Sequence, residues 1–159
     1  MKHFKFYLSC VLILILGVVS IGFYSYNSDI QKSKRDEQAA LLVNNDFVNK
    51  FFTYNTTAER YRNVEPLMTE QGFRATHPSG EGIPMDSEIK SVATDIKTYV
   101  QKDPALKEDN VVMLNEFTVS TEYNQVQSSQ MVIMRTILKK DASSHWKIDD
   151  IEMIIQNME

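Results

Sequence analysis

Cysteine is nearly absent from this chain. Of 159 residues only Cys10 carries a thiol, which excludes an internal disulfide framework and any multi-cysteine zinc or iron–sulfur site. Histidine is scarce as well. His3, His77 and His145 stand apart in sequence, with no His-x-x-x-His or His-Glu pair to hold a metal, and all three read as solvated side chains. Five glycines and four prolines exclude collagen-like and low-complexity architectures. There is no Gly-x-Ser-x-Gly, no phosphate loop and no dinucleotide glycine pattern. An excess of basic charge is also missing. Seventeen Lys and Arg face 21 Asp and Glu, a formal net charge of −4, which argues against a protein that coats nucleic acid. No catalytic residue, cofactor or metal is therefore expected.

What is present divides into two unlike parts. From Phe6 to Ser28 there are 23 consecutive positions without a charge. About 20 apolar helical residues cross the ~30 Å hydrocarbon layer. Residues 1–28 are accordingly expected to be an N-terminal membrane anchor. Its apolar body is Phe6, Val11, Leu12, Ile13, Leu14, Ile15, Leu16, Val18, Val19 and Ile21, with Tyr24 and Tyr26 at an interfacial aromatic belt and Lys2 and Lys5 at the other end. A cleaved signal peptide is the rival reading. It needs a shorter apolar core and a small-x-small cleavage site, and Phe23, Tyr24 and Tyr26 are bulky where such a site would lie. Cys10 precedes the apolar run, whereas a bacterial lipoprotein carries its cysteine after it. Basic residues nearly balance across the anchor. The short N-terminal tail places the large domain outside the membrane, a single-pass arrangement with an extracytoplasmic C-terminal part.

Residues 29–38 read as a polar stalk or a helical continuation, and residues 39–159 as one α+β domain. From Glu37 onward 12 basic residues face 19 acidic ones, a net of −7. Such a surface repels phosphate backbones, so no direct nucleic-acid contact is expected. Ala39, Ala40, Val43, Phe47 and Phe51, joined by Phe52, recur at helical spacing. Thr56-Thr57-Ala58-Glu59 has capping-box form and should start a second helix. Pro66 suits the first turn of a third helix, expected to carry Leu67, Met68 and Phe73. His77 to Pro84 is a loop by composition. Ile89–Val100 fits either a helix or a strand, and its β-branched content favours the strand.

Val111–Thr121, Ser129–Lys139 and the segment from Trp146 read as strands joined by short turns, hence an antiparallel meander. The expected core is Phe47, Phe51, Phe52, Leu67, Phe73, Phe117, Met134, Trp146, Ile148 and Ile151. Asp149-Asp150 tempts a paired-carboxylate reading. Neighbours on a strand point to opposite faces, so one should be exposed and the other turned to a polar partner.

The segments Asp46-Phe-Val-Asn-Lys-Phe-Phe-Thr-Tyr-Asn-Thr-Thr-Ala-Glu-Arg-Tyr, Val64-Glu-Pro-Leu-Met-Thr-Glu-Gln-Gly-Phe and Trp146-Lys-Ile-Asp-Asp-Ile-Glu follow the anchor in that order. In this layout the chain resembles the small bitopic conjugation proteins of Gram-positive bacteria. Those are counterparts of the bitopic scaffold subunit of type IV secretion channels, built on the nuclear-transport-factor-2-like fold. The resemblance implies helices packed on a curved antiparallel sheet. It implies a non-enzymatic scaffold of a DNA transfer channel, whose partners are the membrane, other channel subunits and, in a homo-oligomer, further copies. The same fold also houses ligand-binding and enzymatic proteins that use a pocket between helix and sheet. On that alternative Glu116 and Arg135 would be the polar pocket residues if they face inward. A pocket filled by Phe47, Phe51, Met134 and Trp146 would oppose it.

Overall fold

In the computed structural model the described residues are 2–77, 89–101 and 110–158, with the side chains of 2–15, 18, 21 and 155–158 outside the description. The first element, α1, is a helix over Lys2–Phe52. The chain divides into two compact units, Met1–Gln38 and Ala39–Glu159. In the first unit the backbone is helical, and Leu16, Val19, Phe23, Tyr24 and Tyr26 are exposed. The other expected anchor residues, Phe6, Val11 to Ile15, Val18 and Ile21, have side chains outside the described set. Among the described residues no helix is long and apolar enough to cross a membrane.

The second unit starts with the amphipathic end of α1. Ala40, Asn44, Phe47, Val48 and Phe51 fall at intervals of three and four, on one face, and all are buried. Helix α2 (Thr57–Val64) is capped by Thr56, whose Oγ1 accepts from the Glu59 amide at 3.1 Å. The Glu59 carboxylate reaches back one residue beyond the usual capping box, accepting from the Asn55 amide at 2.9 Å. The expected third helix is in fact broken. Pro66 lies in a 3-10 turn, Glu65–Leu67. Met68 then forms a parallel bridge with Ile148, and α3 (Glu70–Thr76) starts only after Thr69. Leu67 and Met68 are therefore outside α3. The reason is that Thr69 takes over as cap: its amide donates to the Ile148 carbonyl and its hydroxyl accepts from the Gly72 amide.

Four strands follow: β1 (Lys90–Gln101), β2 (Asn110–Tyr123), β3 (Val126–Lys140) and β4 (Trp146–Met158). They form one antiparallel sheet in chain order. Residues 90–101 are thus a strand. The β2–β3 hairpin turns on Asn124 and Gln125, with φ of 49° and 66°, the left-handed pair whose twist matches the flanking strands. The β3–β4 turn is held by the Asp141 carboxylate, which accepts from the amides of Ser143 (2.8 Å) and His145 (2.9 Å). These bonds hold the Asp141 carboxyl below its ordinary pKa, the His145 amide contributing most.

The face of the sheet towards the helices carries Met113, Asn115, Phe117 and Val119 from β2 and Val132, Met134, Thr136 and Leu138 from β3, all buried. They join Phe47, Val48, Phe51, Phe52, Trp146 and Ile148 in one core, with Leu67, Phe73 and Ile151 half-buried against it. The loop expected from composition at residues 77–84 lies, beyond His77, outside the described residues.

Candidate functional site

The space between α1 and the sheet is where a ligand pocket of this architecture would lie. Here it is occupied by side chains. Phe47 and Phe51 stack with ring centroids 5.1 Å apart. Phe51 meets Phe52 edge-on at 5.0 Å, and Phe52 lies 4.7 Å from Phe117. Such contacts contribute about 0.5–1.5 kcal/mol per pair beyond the area they bury. Met134 and Trp146 complete the filling, both buried.

Within this apolar layer sits a closed polar triangle. Asn44 Nδ2 donates to Asn115 Oδ1 at 2.7 Å, Asn115 Nδ2 donates to Thr136 Oγ1 at 3.1 Å, and the Thr136 hydroxyl donates to Asn44 Oδ1 at 2.6 Å. All three residues are fully buried. Thr98 Oγ1 adds a contact at 2.9 Å to Asn115 Oδ1 and another at 2.9 Å to Asn45 Oδ1. Each member both donates and accepts, so the group is satisfied by itself. It ties α1 to β1, β2 and β3 in one register, because a slip along either partner would strand buried amides. The sequence reading had not singled out these residues. Their signal was there: Asn44 falls between Ala40 and Phe47 on an apolar helix face, and Asn115 between Met113 and Phe117 on an apolar strand face.

The polar candidates named for a pocket lie elsewhere. Glu116 and Arg135 are on the opposite face of the sheet. Lys97 Nζ donates to Glu116 Oε1 at 3.1 Å, and Arg135 donates to Glu152 at 3.0 Å. The Glu116 hydrogen bond is the largest cause holding the Lys97 ammonium above its usual pKa. Asp149 accepts from the Thr69 hydroxyl at 2.7 Å, while Asp150 is exposed and accepts from the Ile151 amide. The two aspartates therefore form no paired site. His145 lies 3.9 Å from Asp141, and His77 packs against the Tyr61 ring. Among the described residues no group of three or more His, Cys, Asp or Glu is placed to hold a metal.

Two further features escaped the sequence reading. The Arg60 guanidinium lies 3.6 Å from the Phe51 ring centroid, with Phe52, Tyr54 and Tyr61 within 6 Å. Burial lowers its pKa, opposed by the neighbouring tyrosines, and its Nε has no hydrogen-bond partner. A cation stacked on rings in this way pins α2 to the end of α1. Gly72 brings α3 against β4 backbone to backbone: a Cβ there would meet the Ile148 carbonyl oxygen at 2.7 Å and that of Asp149 at 2.8 Å.

At the rim, where Tyr54 and Ser91 exchange two backbone hydrogen bonds of 3.0 and 2.9 Å, a cleft of about 380 Å³ opens. Its walls include Tyr54, Asn55, Glu59, Lys90 and Glu122. Most of the residues that line it are polar, it is half open to solvent, and it is separate from the filled interior.

With this geometry in hand, comparison with known proteins gives one family and one relative. Residues 36–155 match the family described as the YddI NTF2-like domain. The chain is similar to a Bacillus subtilis (strain 168) protein bearing the name Uncharacterized protein YddI. The two are 24% identical over 165 residues, covering 95% of this chain and 96% of the relative. No solved structure matches.

Proposed function

The chain belongs to the YddI NTF2-like domain family, and from that premise we propose that it is a membrane-anchored, non-catalytic scaffold subunit of a conjugative, type IV secretion-like DNA transfer channel. Its anchor is residues 1–28, crossing once and leaving the domain of residues 39–159 on the extracytoplasmic side. The domain acts by protein–protein contact with other channel subunits. The observation that carries this reading is the filled interior. Phe47, Phe51, Met134 and Trp146 occupy the room that a pocket protein of this fold leaves for its ligand. The polar atoms of Asn44, Asn115 and Thr136 there are spent on one another. Support also comes from the 23-residue uncharged run and from the resemblance of the quoted segments to conjugation proteins. The acidic balance of the domain fits contact with proteins rather than with the transferred DNA.

The test is mating frequency from a donor whose copy of this gene is deleted in frame. Loss of transfer that full-length protein restores, and residues 30–159 alone do not, supports an anchored transfer subunit. An unchanged frequency removes the conjugation reading and turns attention to the rim cleft beside Glu59 and Glu122 as a ligand site.

A further inference from the structure

The cleft at the rim differs from the interior in that much of its polar lining is unspent. Lys90, Ser91, Thr121, Glu122 and Gln127 line it, and among the described residues none of these side chains has a hydrogen bond or ion pair. Lys90 and Glu122 are register partners on β1 and β2, yet no ion pair joins them. Glu59 is half committed. Its Oε2 accepts from the amide and the Nδ2 of Asn55, at 2.9 and 3.3 Å, and its Oε1 remains. One wall is apolar and fixed in advance. Tyr54 is half-buried, with the Arg60 guanidinium 5.4 Å from its ring centroid, and Val92 adds an aliphatic side chain.

We propose that this cleft binds a neutral saccharide, one or two sugar rings in length. The other ligand classes each meet an obstacle. Glu59 and Glu122 outnumber Lys90, so phosphates, sulfates and carboxylates are repelled. A cation would share the wall with the Lys90 ammonium. An apolar ligand would strip water from hydroxyls and amides and return no hydrogen bond. An extended peptide needs free backbone groups at the sheet edge, and here they are taken. Ser91 exchanges both of its bonds with Tyr54, at 3.0 and 2.9 Å, and the Ala93 amide donates to Thr53 Oγ1 at 3.0 Å. A sugar meets what is left. Its hydroxyls donate to the two carboxylates and accept from the ammonium, and such charge-assisted bonds are the strong ones. Ser91, Thr121 and Gln127 donate or accept as the ligand requires. The C–H face of a sugar ring lies against Tyr54. The volume, about 380 Å³, falls at the small end of the roughly 300–1,000 Å³ of ligand clefts.

Two sources can supply this chemistry, a free sugar and a glycan strand of the cell wall. The site stands apart from the conjugation reading. Mating frequency and sugar binding are measured separately, so either can fail while the other holds.

The experiment uses the full chain in micelles of a sugar-free detergent, lauryldimethylamine oxide, and reads saturation-transfer NMR on three probes. These are cellobiose, maltose and the β-1,4-linked disaccharide of N-acetylglucosamine. The expected result is saturable binding of at least one probe at about 1 mM or tighter, unchanged by about 0.5 M sodium chloride because the ligand is neutral. Preference for the N-acetylated probe supports the proposal with a wall glycan as source, and preference for a glucose disaccharide supports it with a free sugar. Glu122→Ala is expected to weaken binding about tenfold and Gln127→Ala about fivefold. Tyr54→Leu should weaken it and Tyr54→Phe should not. Circular dichroism equal to wild type establishes that the variants fold. Where Glu122→Ala does not fold, Glu122→Gln, which keeps the shape and loses the charge, replaces it. Absence of saturable binding to all three probes overturns the proposal. So does binding that Glu122→Ala and Gln127→Ala leave unchanged, or binding of tetralysine in place of the sugars.

Discussion

The two faces of the sheet use polar residues in opposite ways. The inner face holds three fully buried polar side chains, Asn44 from the helix opposite and Asn115 and Thr136 from the sheet, closed on one another. The outer face holds full charges, and its ion pairs are partly open to solvent, with side-chain exposure of 37–62%. The difference follows from desolvation. A neutral amide can be buried when every donor and acceptor is met, whereas a carboxylate or guanidinium needs water or a close partner. Polar groups on the inner face therefore specify register, and those on the outer face pair where water still reaches them.

The strongest way to break this contrast is to empty the inner face. Phe47→Ala removes a ring that stacks on Phe51 and is fully buried. It is expected to cost about 3–5 kcal/mol, seen as a lower urea midpoint of the full chain. A cost below ~1 kcal/mol would mean that the interior is loosely packed and able to take a ligand. Next comes the triangle. Asn115→Leu leaves Asn44 and Thr136 short of partners and is expected to cost about 2–3 kcal/mol. The triple change Asn44→Leu, Asn115→Leu, Thr136→Val removes all three polar groups together and should recover most of that loss. If the triple variant is no more stable than the single one, the network contributes more than mutual satisfaction.

On the outer face the same kind of change should matter little to folding. Glu152→Gln breaks the pair with Arg135 and is expected to cost under about 1 kcal/mol in dilute protein, within reach of the same urea titration. The smallest effect belongs to the β3–β4 turn. Asp141 has its pKa lowered in the folded state, chiefly by the His145 amide. A depressed carboxyl contributes stability that is present above the ordinary Asp range of about 4 and is lost as pH falls through the lowered folded value. The gap in urea midpoint between wild type and Asp141→Asn should therefore close as pH drops below about 4. A gap that persists in acid would show that the carboxylate charge is not what holds the turn.

Much of the fold was legible beforehand because period and composition act locally. The apolar spacing from Ala40 to Phe51, the Thr56 cap and the alternation of β2 and β3 each leave a mark within a few residues. The third helix was misjudged for the opposite reason. Pro66 reads as a helix start, but the break after Leu67 is set by bonds from Thr69 to Ile148 and Asp149, some 80 positions away. The site residues divide in the same way. Phe47, Phe51, Met134 and Trp146 announce themselves by hydrophobicity. Arg60 looks like any surface arginine until four rings close around it. Gly72 looks like an ordinary helix weakness until β4 lies against it.

The sequence by itself determined that no disulfide framework can form, that an uncharged run precedes an acidic domain, and that helices come before an antiparallel meander. These are properties of composition and short-range periodicity, which need no partner elsewhere in the chain. Only the tertiary structure decided that Asn44, Asn115 and Thr136 meet, that Glu116 and Arg135 face outward, and that Lys97 pairs with Glu116 and Arg135 with Glu152 across neighbouring strands. Each depends on which strand lies beside which and in what register. Register is settled by side-chain packing and backbone hydrogen bonds between residues far apart in sequence, and only after it is settled does a residue acquire neighbours to act upon.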